Sequence, residues 1–275
     1  VFRINQNITS INARRHLGMS DASTRQAIER LASGLRINRA AEDAAGLFVS
    51  EQMRAQIAGL RQANLNVQNA INLLQTAESG MEQIGNMLAR LKELAIASAD
   101  GSFNNTNRLA IQKEVDQILQ EMDRIARSTT FNGMTLLEGP AFTFQVGDTG
   151  TSISRINILI GPVTTGVILP GVGSAAWGNQ ESAILVIASI EQGIASVAAE
   201  RTGVGATQNR LERALMNLQV QIENTSHSES VIRDADFAAE TAALTRAQIL
   251  VQAGTAVLTQ ANLLPQNALT LLQGL

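Results

Sequence analysis

The chain has 275 residues, a formal net charge of −3 and 45% hydrophobic residues, but only 16% charged ones, where about 25% is usual in a soluble protein. Its polar surface is made of amides instead, with 20 Asn and 22 Gln, alongside 39 Ala, the best helix former. There is no Cys, one Trp, no Tyr and two His, which excludes disulfides, thiolate metal sites and a cysteine nucleophile. It also leaves little aromatic surface for a ligand pocket, and the negative balance argues against nucleic acid as a partner.

In chain order, Ile4, Ile8 and Ile11 precede a helical face of Leu17, Thr24, Ile28, Leu31 and Leu35, interrupted by Ser33-Gly34 and the stretch 36–43. A long helix is then predicted from about Ala44 to Ser98, roughly 80 Å at 1.5 Å per residue. Its seam is Met53, Ile57, Leu60, Asn64, Val67, Ile71, Leu74, followed by a slip of three residues to Ala77, Met81, Ile84, Leu88, Leu91, Ala95. Asp100-Gly101-Ser102 breaks it, and a shorter helix carries Ile111, Val115, Ile118, Met122 and Ile125 at steps of four and three.

The middle is different. Three of the four prolines and nine of the 21 glycines fall within residues 129–178. Phe142, Phe144 and Val146 alternate, as do Ile156, Ile158 and Ile160, with Gly147-Asp148-Thr149-Gly150 between, which predicts a β-hairpin. Asn132-Gly133 is a further turn signal.

Beyond the middle the strongest heptad run begins. Steps of four and three connect Ala183, Ile187, Ile190, Ile194, Val197, Arg201, Val204, Gln208, Leu211, Leu215, Leu218, Ile222 and Thr225. Ten of these thirteen are apolar, a coiled-coil signal sustained through Gly203 and Gly205. We take Ile187, Ile190, Ile194, Val197, Leu211, Leu215, Leu218 and Ile222 as the core seam. In a last helix Phe237, Leu244, Val251 and Leu258 lie seven apart, with Leu269 and Leu272 after them, and Pro265 is expected to bend or interrupt it. The fold class is therefore mainly α, with long antiparallel coiled-coil-like helices and a small β-hairpin region.

Catalytic equipment is sparse. Gly171-Val-Gly173-Ser-Ala-Ala176 looks like a dinucleotide loop with Glu191 twenty residues on, but no second parallel strand follows, so it reads as a Gly-rich surface loop. His16 and His227 are far apart in sequence and belong to no H-E-x-x-H string. Trp177 reads as the cover of a core edge. No enzyme activity, cofactor or metal is expected. No continuous apolar run reaches the 18 residues or so of a membrane span, and the start lacks the pattern of a cleaved secretory signal, so neither membrane insertion nor such a signal is expected. The terminal segments carry apolar faces that bury too little alone to offset ordering entropy, so they are expected to be disordered in a free monomer. Identical chains are the simplest partners for such faces, and contacts between different patches on identical subunits build open helical polymers when the rotation does not close.

Specific strings carry a family resemblance. Ile28-Glu-Arg-Leu-Ala-Ser-Gly-Leu-Arg-Ile-Asn38 and Glu42-Asp-Ala-Ala-Gly46 resemble the N-terminal signature of bacterial flagellin. Arg90-Leu-Lys-Glu-Leu-Ala95, Thr130-Phe-Asn-Gly133, Gln208-Asn-Arg-Leu211, Ile232-Arg-Asp-Ala-Asp236, Arg246-Ala-Gln-Ile-Leu250, Gln260-Ala-Asn262 and Pro265-Gln-Asn267 are similar to the same family, in the same order. The resemblance implies a subunit that self-assembles into the flagellar filament for swimming. Residues 1–42 with 234–275 would form an inner coiled-coil domain. Residues 43–233 would form the surrounding helical domain with the hairpin tip at about 129–178, and no outer variable domains, hence a thin, smooth filament.

The resemblance also implies secretion through the flagellum's own export apparatus to the extracellular filament. A cytosolic chaperone would hold the segment 235–275, and a filament cap and hook-junction proteins would be further partners. A vertebrate Toll-like receptor would contact Arg90, Leu94 and Glu114. The alternative within the same machine is the hook–filament junction protein. A metallopeptidase insert of the kind some flagellins carry finds no room and no His in residues 129–178.

Overall fold

A computed structural model describes residues 6–173, 177 and 180–273, with side chains described as far as Leu263. Helices α1 (Ile8–Ser33), α2 (Ala44–Ala99) and α3 (Asn105–Ser128) come first. Strands β1 (Thr130–Phe131), β2 (Met134–Thr135), β3 (Ala141–Gln145) and β4 (Arg155–Leu159) follow, then a short α4 (Thr165–Ile168). The long α5 (Gln180–Arg233) and α6 (Phe237–Gln273) close the chain. It divides into two compact units, one of residues 1–55 with 224–275 and one of residues 56–223.

The second unit has a continuous apolar core. Along α5 the residues seven apart, Ala183, Ile190, Val197, Val204, Leu211 and Leu218, are all buried. The other seam set, Ile187, Ile194, Leu215 and Ile222, is half-buried against the same core. One heptad position thus points into the core and the other flanks it, as a two-position seam does when one partner helix is long and the rest of the packing is uneven. α2 supplies the facing side with Val67, Leu74, Ala77, Met81, Ile84, Leu88 and Leu91, so the expected slip at Leu74–Ala77 passes without exposing the stripe. The two helices are antiparallel, since Lys92 pairs with Glu191 at 2.9 Å while Glu78 accepts from Gln208 at 3.2 Å. On α3, Val115 and Met122 are buried, and Ile111, Ile118 and Ile125 flank them.

By length and composition α5 is long and apolar enough to cross a membrane, with an 18-residue window of mean hydropathy 1.6. Its apolar stretch is not continuous, because Ser189, Glu191 and Gln192 interrupt it. The buried heptad set named above turns one face of this helix into the core of its own unit.

The middle folds as predicted by its period-two alternation. β3 and β4 are antiparallel, with Phe142 opposite Ile158 and Phe144 opposite Ile156. Ile156 and Ile158 are buried while the intervening Arg155, Asn157 and Leu159 face outward. β1 and β2 form a second ladder around Asn132-Gly133, whose φ values of 50° and 78° are both positive, the geometry of a type I′ hairpin turn that this dipeptide favours. Asp123 of α3 fixes the start of α4, its Oδ1 accepting from both the N–H and the hydroxyl of Thr165 at 3.0 and 2.8 Å. Trp177 is fully buried and its carbonyl accepts from the Ser98 hydroxyl at 3.1 Å. It covers the core at the end of α2. Residues 174–176 of the Gly-rich string lie outside the described residues, and Glu191 sits on α5.

Pro265 does not interrupt the last helix. α6 continues as helix through Pro265 to Gln273. Proline removes a donor and crowds the preceding turn, but a helix that supplies another donor to the freed carbonyl need not end, and one is present (below). Ile4 lies outside the described residues, as do the side chains of Leu269 and Leu272.

A candidate assembly surface on the terminal helices

Helices α1 and α6 pack against each other within the first unit, antiparallel, since Asn7 reaches Ala261 at 2.7 Å and Arg30 reaches Glu240 at 3.0 Å. Both helix starts are fixed locally. Asn7 Oδ1 accepts from the Ser10 N–H at 3.1 Å, and Asp236 Oδ1 accepts from the N–H groups of Ala238 and Ala239 at 2.9 and 3.2 Å, each satisfying amides that a helix start leaves free.

Between α1 and α2 the chain crosses beside the α5–α6 junction. Leu35 bridges Asp234, the Arg36 N–H donates to the Arg233 carbonyl at 2.7 Å, and the Ala235 N–H to the Gly34 carbonyl at 2.9 Å. The strings quoted for the family resemblance build this joint. Glu42 accepts from the Asn38 N–H and the Gln26 amide, both at 3.0 Å, and these donors, Asn38 first, hold its carboxyl below the usual range. Asp43 Oδ1 accepts from the Gly46 N–H at 2.8 Å. A Cβ on Gly46 would stand 2.4 Å from the Asp43 carboxylate and 2.9 Å from the Ile37 side chain, so a side chain at the fifth position of Glu42–Gly46 would have to displace the capping carboxylate and Ile37. Arg233 of α5 donates to Glu51 of α2 at 2.6 Å and, with Arg54, lowers its pKa.

The joint is polar and well bonded, but the helices beyond it bury little. Among the described residues of this unit the buried apolar side chains are Ala27, Ile37, Ala247 and Ala261. Open to solvent are Ile8, Ile11, Met19, Ile28, Phe48, Phe237, Ile249, Leu250 and Val257, with Phe48 at 71% and Ile11 at 61%. An apolar groove of about 830 Å³ runs along α1 and α6, walled by Leu17, Met19, Ala247, Leu250 and Val257, with His16 on its wall. His16 and His227 are both exposed, and among the described residues no group of three His, Asp or Glu side chains could hold a metal ion.

The residues expected to meet a receptor lie on α2 and α3 and do not share one surface. Arg90 and Glu114 are exposed and joined by two hydrogen bonds of 3.0 and 2.9 Å, and Arg90 also donates to Glu93 at 2.7 Å. Glu93, then Glu114, raises the Arg90 pKa further. Leu94 is 6% exposed and belongs to the core of the second unit. The spacing Arg90–Leu94 puts both on neighbouring turns, but four residues on the seam-side edge of α2 are enough to turn the second one inward, which the string alone does not reveal.

The amino-terminal half, residues 4–141, matches the model of the bacterial flagellin N-terminal helical region, and residues 187–272 match that of the bacterial flagellin C-terminal helical region. The chain belongs to the bacterial flagellin family. Within it, the chain is 39% identical over 285 residues to the flagellar filament 31.3 kDa core protein of Treponema maltophilum, covering 98% of this chain and 99% of that one. It is also 39% identical over 270 residues to flagellin of Halalkalibacterium halodurans, with the same coverage. Among solved structures, a flagellar hook-associated protein of Vibrio parahaemolyticus shares the fold, with a TM-score of 0.60 over 70% of this chain and 99% of that one, at 13% identity. The matched regions take in the polar joint, the Asn132-Gly133 hairpin and both terminal helices.

Proposed function

We infer that this flagellin-family chain is a structural subunit that assembles with copies of itself into the bacterial flagellar filament. The observation that carries the reading is the apolar surface left open on α1 and α6, where eight of the large apolar side chains named above are exposed while the buried apolar residues of the two helices are the alanines Ala27, Ala247 and Ala261. Part of this surface is continuous, since Leu17, Met19, Leu250 and Val257 line one groove along both helices. The occupant that fits it is a second copy, because a subunit whose two terminal helices present the same open stripe can stack on itself without a foreign partner. Relatives at 39% identity are named as a filament core protein and a flagellin, which supports the filament over the hook–filament junction. The hook-associated likeness, at 13% identity, concerns the fold alone.

In this reading residues 1–42 with 234–275 form the inner domain of the filament and residues 43–233 surround it, in a thin filament without outer domains, and the chain is structural rather than catalytic. It reaches the cell exterior through the flagellar export apparatus, with a chaperone on residues 235–275 and with the cap and hook-junction proteins as neighbours. The seam residues of α5 act within the subunit, since the heptad set from Ile190 to Leu218 is buried in its own core.

Negative-stain microscopy of the concentrated, purified chain tests this. Long helical fibres are expected, and deletion of residues 1–36 or 236–275 should abolish them while the helical signal of residues 56–223 persists. Only short oligomers from the full chain would overturn the filament reading in favour of the junction protein. Receptor recognition is a separate property, supported by the solvent-open Arg90–Glu114 pair. R90A and E114A should each lower the response of Toll-like-receptor reporter cells, and an unchanged response to both would remove it.

A further inference from the structure

α6 runs as helix across Pro265. Proline has no N–H, so the carbonyl four residues earlier, that of Ala261, loses the donor that every interior helical carbonyl otherwise has. Ala261 is 5% exposed, and a carbonyl left unpaired next to buried groups is costly. The donor comes from the other end of the sequence. Asn7 Nδ2 donates to the Ala261 carbonyl at 2.7 Å, while Oδ1 of the same side chain accepts from the Ser10 N–H and caps α1. One turn on, the hydroxyl of the buried Ser10 donates to Asn262 Oδ1 at 2.9 Å.

We propose that Asn7 and Pro265 form a clasp that sets the register of α1 against α6: the proline creates a free acceptor in the interior of α6, and the donor half of Asn7 occupies it. Capping alone does not call for asparagine, because aspartate and serine start a helix equally well. Ionised aspartate offers no donor, and the serine hydroxyl is one bond shorter and cannot accept from α1 and donate to α6 through two separate atoms. The free carbonyl also marks one position. Neighbouring carbonyls in the helix are engaged by the amide four residues on, so sliding α1 by a residue would set Asn7 against an acceptor already in use and leave the Ala261 carbonyl empty. The clasp is a contact of the α1–α6 pair within one chain, made in whichever state, dilute or assembled, orders that pair.

A double-substitution cycle in the full-length chain tests the coupling, read by hydrogen exchange of the amides of residues 8–13, both in dilute solution and in concentrated, sedimentable material. N7D keeps the capping acceptor and removes the donor. It should speed exchange about five- to tenfold, the loss of one hydrogen bond, in whichever state protects these amides. P265A returns an N–H to α6, and in that background N7D should change exchange less than twofold. A second readout needs no change at Asn7: P265A should free the Asn7 side-chain amide, whose protons then exchange faster, while the amide it introduces on α6 becomes protected. Equal effects of N7D in both backgrounds would overturn the clasp. So would an Asn7 side-chain amide indifferent to P265A, or unprotected residues 8–13 in both states.

Discussion

The segment 56–223 and the two ends that flank it are written in the same Ala-, Gln- and Leu-rich language, yet they fold in opposite ways. In the middle segment, apolar residues on α2, α3, α5 and the hairpin converge, and side chains as large as Leu74, Met81, Leu88, Met122 and Trp177 are fully covered. In the terminal unit the ordered contacts are mostly polar: the Glu42 and Asp43 caps, the Arg30–Glu240 and Arg233–Glu51 pairs, and the backbone bridge at Leu35 and Asp234. The apolar residues there face out. The difference shows that a heptad pattern announces a sticky face without saying whose face will cover it. The stripe of α5 is covered from within its own unit, where Leu88 of α2 and Ile168 and Leu169 of the preceding segment close around Gly193, whereas α1 and α6 pack on each other and leave large apolar side chains open.

The comparison predicts where substitutions act, and the largest effect belongs to the middle. L88D and L211D each place a carboxylate at a site with no exposure, and either should cost more than about 4 kcal/mol and unfold residues 56–223 at ambient temperature. Circular dichroism melting checks this, and an unchanged transition would break the account of the core. Next, L88A should lower stability by about 2–5 kcal/mol through the cavity it leaves.

In the terminal unit the same chemistry should do something else. L250D and V257D, at half-exposed positions, should shift the melting of the dilute chain by no more than about 0.5 kcal/mol but raise the concentration needed for fibre formation severalfold. Fibre yield by sedimentation, read beside the melt, separates the two effects. A melt as strongly perturbed as that of L88D would show that α1 and α6 have a self-sufficient core after all.

The smallest effect is electrostatic. The carboxyls of Glu42 and Glu51 are held below the usual range, by the Asn38 N–H and by Arg233 respectively. A depressed folded-state pKa means that their contribution to the joint is fully present above the unfolded value of about 4.3 and is lost as pH falls through the lower folded value. The joint should therefore loosen below about pH 4, and E42Q with E51Q should flatten that dependence. Proteolysis at residues 36–43 as a function of pH would register it. Both side chains are exposed enough that the change is modest.

Much of the architecture was legible because period is a backbone property. The heptads of α5, the alternation of Phe142 with Phe144 and of Ile156 with Ile158, and the Asn132-Gly133 turn each depend on residues close in sequence, and each element formed where its pattern put it. What could not be read depends on residues far apart. The sequence around Pro265 signals a bend or an interruption, because the donor that lets the helix pass through it comes from Asn7, 258 positions away. Leu94 looked like a surface residue because it shares a string with the exposed Arg90, and only the packing of α2 turns it inward. Leu215 looked equal to Leu211 on the seam, but the two heptad positions are covered unequally. The assembly surface itself was visible only as a surplus of apolar residues. That α1 and α6 leave it uncovered follows from what is missing opposite them, which no local pattern records.

Hydrogen exchange of the full-length chain, first dilute and then as sedimented fibres, confronts the central claim most directly. The amides of residues 8–33 and 237–263 should exchange within seconds in the dilute chain and become slow in the fibre, while the buried stretches of α2 and α5 within residues 56–223 stay slow in both. Terminal helices already as slow in the dilute chain as the middle segment, and no slower in the sediment, would contradict it.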